Sequence, residues 1–385
     1  MLAGDKSSRT NSADVIIVGG GVIGLSIARE LRLRGVRDVV LLEKGEPGKE
    51  ASWAAGGILA PQVEADRSDD FFRLACASRN LYPDFAEALR AETGVDVELE
   101  KTGTLYLAFT EYDEAELRRR CEWQQSEGLR VDWLSAEHVR SLEPNISHDA
   151  RCALRFPDDW QVENRKLVEA LAKANENLGV QIRTNCEVTS LRVEHGRVIG
   201  VESLCGGFDA PTVVVCAGAW SSSVAASAGA SNAIEIEPVR GQMLCFKPQE
   251  QFARHVIYSA RGYLVPRRGG RILAGSTSER VGFEKRVTDE GMNSIKSMAF
   301  EIAPALESFP IIDSWAGFRP RAKDDLPVLG ASEEIERLFY ATGHYRNGIL
   351  LAPITAEVIA DLFVGGVSST RIETFSPKRF CVAHV

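Results

Sequence analysis

Basic residues are in the minority here. Lysine and arginine number 45 against 54 aspartates and glutamates, a net charge of −9. No broad cationic field can therefore form for nucleic acid or an anionic lipid surface. None of the eight cysteines forms a C-x-x-C pair, and they are scattered through the chain. That argues against zinc and disulfide frameworks, so no metal site is expected and nearly all are read as buried, reduced thiols. With six histidines in the whole chain, acid–base chemistry by imidazole has few candidates. No stretch reads as a membrane span, and the polar residues 1–12 lack the apolar core of a secretion signal. The expectation is a cytoplasmic protein with no membrane span, no nucleic-acid partner and a disordered leader over 1–12.

What is present is an ordinary globular composition, 44% apolar and 26% charged, in a chain long enough for two domains. Asp14-Val-Ile-Ile-Val-Gly-Gly-Gly reads as a short buried strand. Leu25, Ala28 and Leu31 then recur at helical spacing, with Gly35 as the stop, and 38–43 is a second apolar strand. This is a βαβ unit.

Further on, 164–178 reads as an amphipathic helix and 179–182 as a strand. Segments 187–193 and 197–203 read as a hairpin across His195-Gly196, and 212–217 as a buried strand. A brief strand at 338–341 precedes a helix over 349–363. Between these parts, 97–109, 238–246, 257–258, 263–266 and 271–276 are strand-like. The fold class expected is α/β, a Rossmann-like nucleotide domain with an antiparallel-sheet substrate domain inserted twice. The nucleotide domain takes 13–82, 150–230 and 320–370, and the substrate domain 83–149 and 231–319.

Gly19-x-Gly21-x-x-Gly24 lies between the first strand and its helix. The first glycine permits the tight turn, the second admits a pyrophosphate to the backbone, and the third lets helix and strand approach. The helix N-terminus offers N–H groups and a partial positive charge to phosphate. Glu43 ends the second strand, 19 residues beyond Gly24, where a carboxylate accepts from ribose hydroxyls. An acid there suits FAD or NAD rather than NADP. The segment 50–61 (EASWAAGGILAP) is rich in small residues; such a loop lets backbone lie flat against a planar ring and favours FAD.

On these segments the chain resembles the FAD-dependent amino-acid oxidase family, and within it the glycine oxidases of thiamine biosynthesis. The resemblance spans nearly the whole chain after the leader, through 14–43, the AAGGIL loop, 71–82, YLVPR at 263–267, WAGFRP at 315–320 and GHYRNGILLAP at 343–353. It implies non-covalent FAD held by Gly19, Gly21, Val22, Ile23, Gly24, Glu43, Lys44, Ala51, Ser52, Gly56, Gly57, Ile58, Val188 and Gly218. The same implication extends to His344, Tyr345, Arg346, Asn347, Gly348, Ile349 and Leu350. Val188 would present backbone to adenine, and the turn before the last helix would face the N1–C2=O edge of the flavin.

The resemblance also places the substrate carboxylate on Arg319, with Tyr263 adding a phenolic hydrogen bond and Arg346 shared between substrate and flavin. A guanidinium forks onto both carboxylate oxygens, whereas an ordinary ion pair or a packed tyrosine is the plainer reading of the same residues. The reaction implied is oxidative deamination of glycine, sarcosine or a small D-amino acid. Hydride would pass to flavin N5, O2 would become H2O2, and no general acid or base is required. His344 is read as a packing residue. Arg261, before Gly262-Tyr263, either enlarges the substrate range toward dicarboxylates or pairs with a surface acid. Ser278 stands where some relatives have Met. A D-amino-acid dehydrogenase using another acceptor and a non-catalytic flavin-binding subunit are the alternatives. A homo-oligomer is implied by the resemblance alone.

Overall fold

Four successive apolar side chains form β1 (Val15–Val18), and all four are buried. In the computed structural model, which describes residues 11–229 and 234–381, Val15 and Ile17 face one core cluster while Ile16 and Val18 face another. A strand covered on both faces needs no polar alternation. α1 (Val22–Leu33) crosses to β2 (Val39–Leu42), which pairs parallel to β1 with Val15 opposite Val39. Of the leader expected over 1–12, residues 1–10 lie outside the described residues. Asn11 donates from Nδ2 to the Gly207 carbonyl at 3.1 Å, and Ser12 bridges Asp209.

The continuous loop expected over 50–61 is instead one helical turn, α2 (Ala51–Ala54), a two-residue strand, β3 (Ile58–Leu59), and the start of a second turn, α3 (Pro61–Glu64). α4 (Asp70–Thr93) is capped by Asp69, which accepts from the Phe72 N–H at 2.9 Å. β4 (Thr104–Ala108), α5 (Glu111–Ser126), β5 (Asp132–Ser135), α6 (Ala136–Leu142) and β6 (Cys152–Phe156) follow. β7 (Trp160–Gln161) pairs with β3, and α7 (Asn164–Asn177) leads to β8 (Gln181–Arg183), parallel to β2. β9 (Val188–Glu194), β10 (Arg197–Ser203) and β11 (Gly206–Asp209) form an antiparallel meander; β12 (Val213–Val215) returns beside β1 and α8 (Ser221–Ala226) follows it.

The chain then lays down β13 (Ile236–Phe246), β14 (Val256–Ser259), β15 (Gly262–Pro266), β16 (Ile272–Gly275), α9 (Asp289–Ile302) and β17 (Ile311–Ala322). It comes back to the first layer with β18 (Val328–Ala331), β19 (Leu338–Thr342) and α10 (Gly348–Gly365). The first sheet runs β18-β19-β12-β1-β2-β8, parallel except for β18, and the second β17-β13-β16-β15-β14-β4-β6-β5. One pair in the second sheet, β14 with β4, is parallel rather than antiparallel.

Element borders cut across the divisions expected from composition. α4 passes unbroken through 82 and 83, and its Leu89 joins the core of the nucleotide layer. β6, expected in that layer, lies between β4 and β5 in the other sheet, and β17 runs through 319 and 320. Caps and turns end an element, and a change in composition need not coincide with either. All eight cysteines are free, but only five are buried; Cys205 is exposed and Cys76 and Cys381 are half-buried.

α10 corrects the expectation that no stretch is long and apolar enough to span a membrane. Its 18 residues have a mean hydropathy of 1.7 and meet that test by length and composition. Yet 61% of the span is buried within the protein, where a helix apolar on all sides belongs. Pro353 has no N–H for the Ile349 carbonyl one turn earlier. The Tyr82 hydroxyl of α4 donates to that carbonyl instead, and Ser78 Oγ donates to the Leu350 carbonyl at 2.6 Å while accepting the Ile354 N–H at 3.5 Å. Tyr82→Phe should lower the unfolding free energy by about 1–3 kcal/mol, because a buried carbonyl loses its partner. The measurement is a lower denaturant midpoint at unchanged m-value.

Candidate functional site

A cavity of about 470 Å³ opens between the two sheets at the C-terminal ends of β1, β2 and β12, a size in the range of ligand pockets. At its floor Gly19 has φ 109°, and a Cβ there would stand 2.5 Å from the Cys216 carbonyl oxygen. A Cβ at Gly24 would stand 2.0 Å from the Gly19 carbonyl oxygen, so α1 touches the turn it leaves. At Gly21 the nearest atom is Ser52 Oγ at 3.4 Å, leaving the backbone open to the cavity. Ser52 Oγ accepts the Val22 N–H at 2.9 Å, whereas Ile23 and Gly24, in the first turn, have no intrahelical acceptor. Glu43, expected to face a ribose, is engaged within the turn itself. Its Oε2 accepts the Gly20 N–H at 2.7 Å and its Oε1 the Gly45 N–H at 2.9 Å, and each oxygen retains a second lone pair. Lys44 lies 3.0 Å over the Trp220 ring; burial lowers its pKa, against the pull of Glu50 and Glu43.

The segment expected against a flavin has its carbonyls drawn away from the cavity. Asn164 Nδ2 donates to the Ser52 and Trp53 carbonyls at 2.7 and 3.1 Å. Trp315 Nε1 donates to that of Ala54 at 3.0 Å, Arg267 Nη2 to that of Gly56 at 2.8 Å and the Val162 N–H to that of Gly57 at 2.8 Å. Small residues, Ala51, Ala54, Ala55, Gly56 and Gly57, are left lining the opening. On the other side the Tyr345 N–H donates to the Pro320 carbonyl at 2.9 Å, fixing the turn that starts α10. Asn347, Gly348 and Ile349 line the cavity there, so the positive end of a helix dipole faces it. Burial pushes His344 down to about 3, and its Nε2 lies 3.0 Å from Thr355 Oγ1. Burial thus favours the uncharged imidazole, held beside Thr355.

Arg319, Tyr263 and Arg346 all line the same cavity, and the first two meet on a residue that sequence reasoning missed. Ser276 Oγ accepts from Arg319 Nη2 and from the Tyr263 hydroxyl, the latter at 3.2 Å. Arg319 Nη1 donates to the Thr277 carbonyl at 3.0 Å. Its guanidinium lies across β13 at Gly241, where a Cβ would stand 2.3 Å from Nη1. A glycine inside a strand was the available signal for that close approach. Among the described residues neither Arg319 nor Arg346 has a carboxylate within ion-pair distance, so the cavity carries two guanidinium charges open to an anion. Burial raises the Tyr345 pKa, but hydrogen bonds with Ser278 and Arg346 outweigh it and hold the phenol below its usual value.

Two of the residues implied for FAD do not line the cavity. Gly24 is packed beneath it against Gly19, and Leu350 is buried in the core. Arg261 points away as well; its guanidinium pairs with Glu301 and donates to Ser297 Oγ at 3.2 Å. The surface-acid reading of Arg261 is the correct one, and Ser278 is engaged by Tyr345.

This geometry agrees with comparison to known proteins. Residues 14–362 match the family model of the FAD dependent oxidoreductases, DAO. The chain belongs to that family. It is 38% identical to a glycine oxidase of Pseudomonas putida, covering 92% of this chain and 95% of that protein. It is 37% identical to the bifunctional protein ThiO/ThiG of Synechocystis over 96% of this chain, and spans about half, 54%, of that longer relative. The crystal structure of glycine oxidase from Geobacillus kaustophilus superposes with a TM-score of 0.92 at 35% identity, covering 98% of this chain and all of that one. A parallel-sheet nucleotide layer with an added antiparallel sheet is thus the fold of this family, and FAD is its cofactor. The open backbone at Gly21, the unfilled N–H groups of α1 and the small-residue wall fit that cofactor.

Gly241→Ala should displace the Arg319 guanidinium while leaving the glycine turn untouched. The expected result is FAD bound at unchanged stoichiometry, with carboxylate-ligand binding weakened about tenfold or more, read by titration of the flavin absorbance.

Proposed function

We propose that the protein oxidatively deaminates glycine or another small amine-bearing acid, with O2 as electron acceptor. One observation carries the reading: the Arg319 guanidinium, held by Ser276 and Thr277 with no acid of its own among the described residues, at the end of an FAD cleft. A mere cofactor holder needs no such carboxylate site. The relatives named glycine oxidase support the choice of substrate class.

FAD supplies a two-electron acceptor, at flavin N5, for a hydride from the substrate Cα. The residues of the chain bind and orient. Arg319 takes the carboxylate through its free N–H groups, with Tyr263 as a second donor, since both turn from Ser276 to a stronger, charged acceptor. Fixing that end would hold the amine-bearing carbon in one orientation within the cleft and so convert an encounter into an oriented reaction. The α10 N-terminus, whose first residues line the cavity, would offer its positive dipole end to negative charge on the bound flavin. No side chain needs to carry a proton from carbon, which agrees with the burial that makes His344 a weak base. The released imine hydrolyses, so glycine, water and O2 become glyoxylate, ammonia and H2O2. The imine before hydrolysis is a candidate supply for thiamine biosynthesis, in keeping with the ThiO/ThiG relative.

A peroxide-coupled assay on the purified yellow protein, against glycine, sarcosine and small D-amino acids, tests this. Peroxide formation with at least one of them is expected. Anaerobic bleaching of the flavin by a substrate that yields no peroxide in air would point to a dehydrogenase. Arg319→Ala should raise KM about a hundredfold with FAD retained; an unchanged KM would remove Arg319 from the substrate site.

A further inference from the structure

Four carboxylates line the cavity, Glu43, Glu50, Glu64 and Glu187. Three of them act on the Lys44 ammonium at the nucleotide end. Glu64 stands apart. The Tyr258 hydroxyl donates to its Oε1 at 3.1 Å, and the Tyr258 ring lies against that of Tyr263 with centroids 5.3 Å apart. Glu64 is therefore a neighbour of the proposed carboxylate clamp. Its Oε2 has no hydrogen-bond or ion-pair partner among the described residues, and its side chain is exposed in the cleft.

The backbone beneath it is firmly held. Asp159, fully buried, accepts the Gln62 and Val63 N–H groups at 3.1 and 2.7 Å, and Arg120 donates to the Val63 carbonyl. The α3 turn that ends in Glu64 is thus fixed from two sides. That fixes the place from which the Glu64 side chain enters the cleft. The field of Glu64 also falls on the Arg346 guanidinium, damping its repulsion of any cation that enters.

We propose that Glu64 reads the amine side of the substrate. Its carboxylate accepts a hydrogen bond from the ammonium group of a ligand whose own carboxylate lies on Arg319 and Tyr263. The inference rests on the substrate class given under the proposed function and adds a specificity residue to it. Positive charge at the clamp and negative charge at Glu64 match the two ends of a zwitterion. A carboxylate without an amine engages only the first.

The experiment compares glycine with acetate on FAD-loaded wild type and Glu64→Gln. KM is measured for glycine, and Ki for acetate as a competitor. The variant should raise the glycine KM about tenfold or more. Acetate, which shares only the clamp, should keep its Ki or bind more tightly. Glu64→Asp should recover part of the discrimination. Retention of FAD at wild-type stoichiometry and an unchanged melting temperature exclude a folding defect. A glycine-to-acetate ratio within about twofold of wild type would overturn the proposal, since loss of a merely structural contact would weaken both ligands alike. If wild type turned over no amine, the deamination reading itself would fall. Glycine would then perturb the flavin spectrum without bleaching it, and the same ratio, taken from dissociation constants, would still decide the role of Glu64.

Discussion

The guanidinium of Arg267 holds the two sheets in the relation that makes a cleft. It is buried to 7% exposure at the end of β15 and reaches into the nucleotide layer. There it donates to the Val162 carbonyl at 2.7 Å, the Gly56 carbonyl at 2.8 Å and Asn164 Oδ1 at 3.0 Å, with the Glu163 carboxylate 3.5 Å from Nε. Arginine alone among side chains carries enough fixed donors to serve several acceptors in one plane. A lost donor would strand buried carbonyls, at a cost of about 1–3 kcal/mol for each. The same contacts orient the wall of the cavity, because Arg267 binds Gly56 directly and also holds Asn164, which tethers α2 at Ser52 and Trp53.

From that constraint follows the division of labour across the cleft. One end is built from backbone: the Gly19–Gly24 turn, the carbonyl-stripped wall and the start of α10, all of which present N–H groups or small residues. Acid at this end is neutralised locally, with Glu43 on backbone N–H groups and Glu50 near Lys44. The other end is built from side chains, Arg319 and Tyr263 of the second sheet and Arg346 of the turn before α10, and its guanidinium groups are left without carboxylate partners among the described residues. A long, doubly charged cofactor suits the first kind of surface, where dipoles act without bulk. A small anion suits the second, where a few charged donors set its position. Neither sheet alone encloses the cavity.

Legibility differed between these two ends for a physical reason. The turn at Gly19, its helix and Glu43 lie within 30 residues and obey local rules of sterics and dipoles, so spacing alone conveyed their purpose. The wall at Ala54–Gly57 was recognisable by its lack of side-chain bulk, though its breakup into a helical turn and a short strand was not. That breakup depends on Asn164, Val162 and Trp315, whose positions are set by distant segments. The sequence pattern put borders at 82/83 and 319/320, positions through which α4 and β17 run. It also overlooked the hydropathy of α10, whose oily surface is matched by α1 and α4 and whose proline gap is filled by Tyr82. Helices at 111–126 and 289–302 were not read at all; the first carries its start signal in the Thr110–Asp113 capping box rather than in apolar periodicity.

By itself, then, the chain's order of residues determined a dinucleotide-binding βαβ unit, through glycines that tolerate contacts a Cβ would forbid. Through family likeness it also named Arg319, Tyr263 and Arg346. Only the tertiary structure decided which of the charged residues share a space. It joined Arg319 to Tyr263 through Ser276 and laid the guanidinium on Gly241. It sent Arg261 out to Glu301 and brought Glu64 in beside Tyr258. Those pairings join positions from 13 to 194 residues apart, and no local pattern records a contact made by folding two sheets against each other.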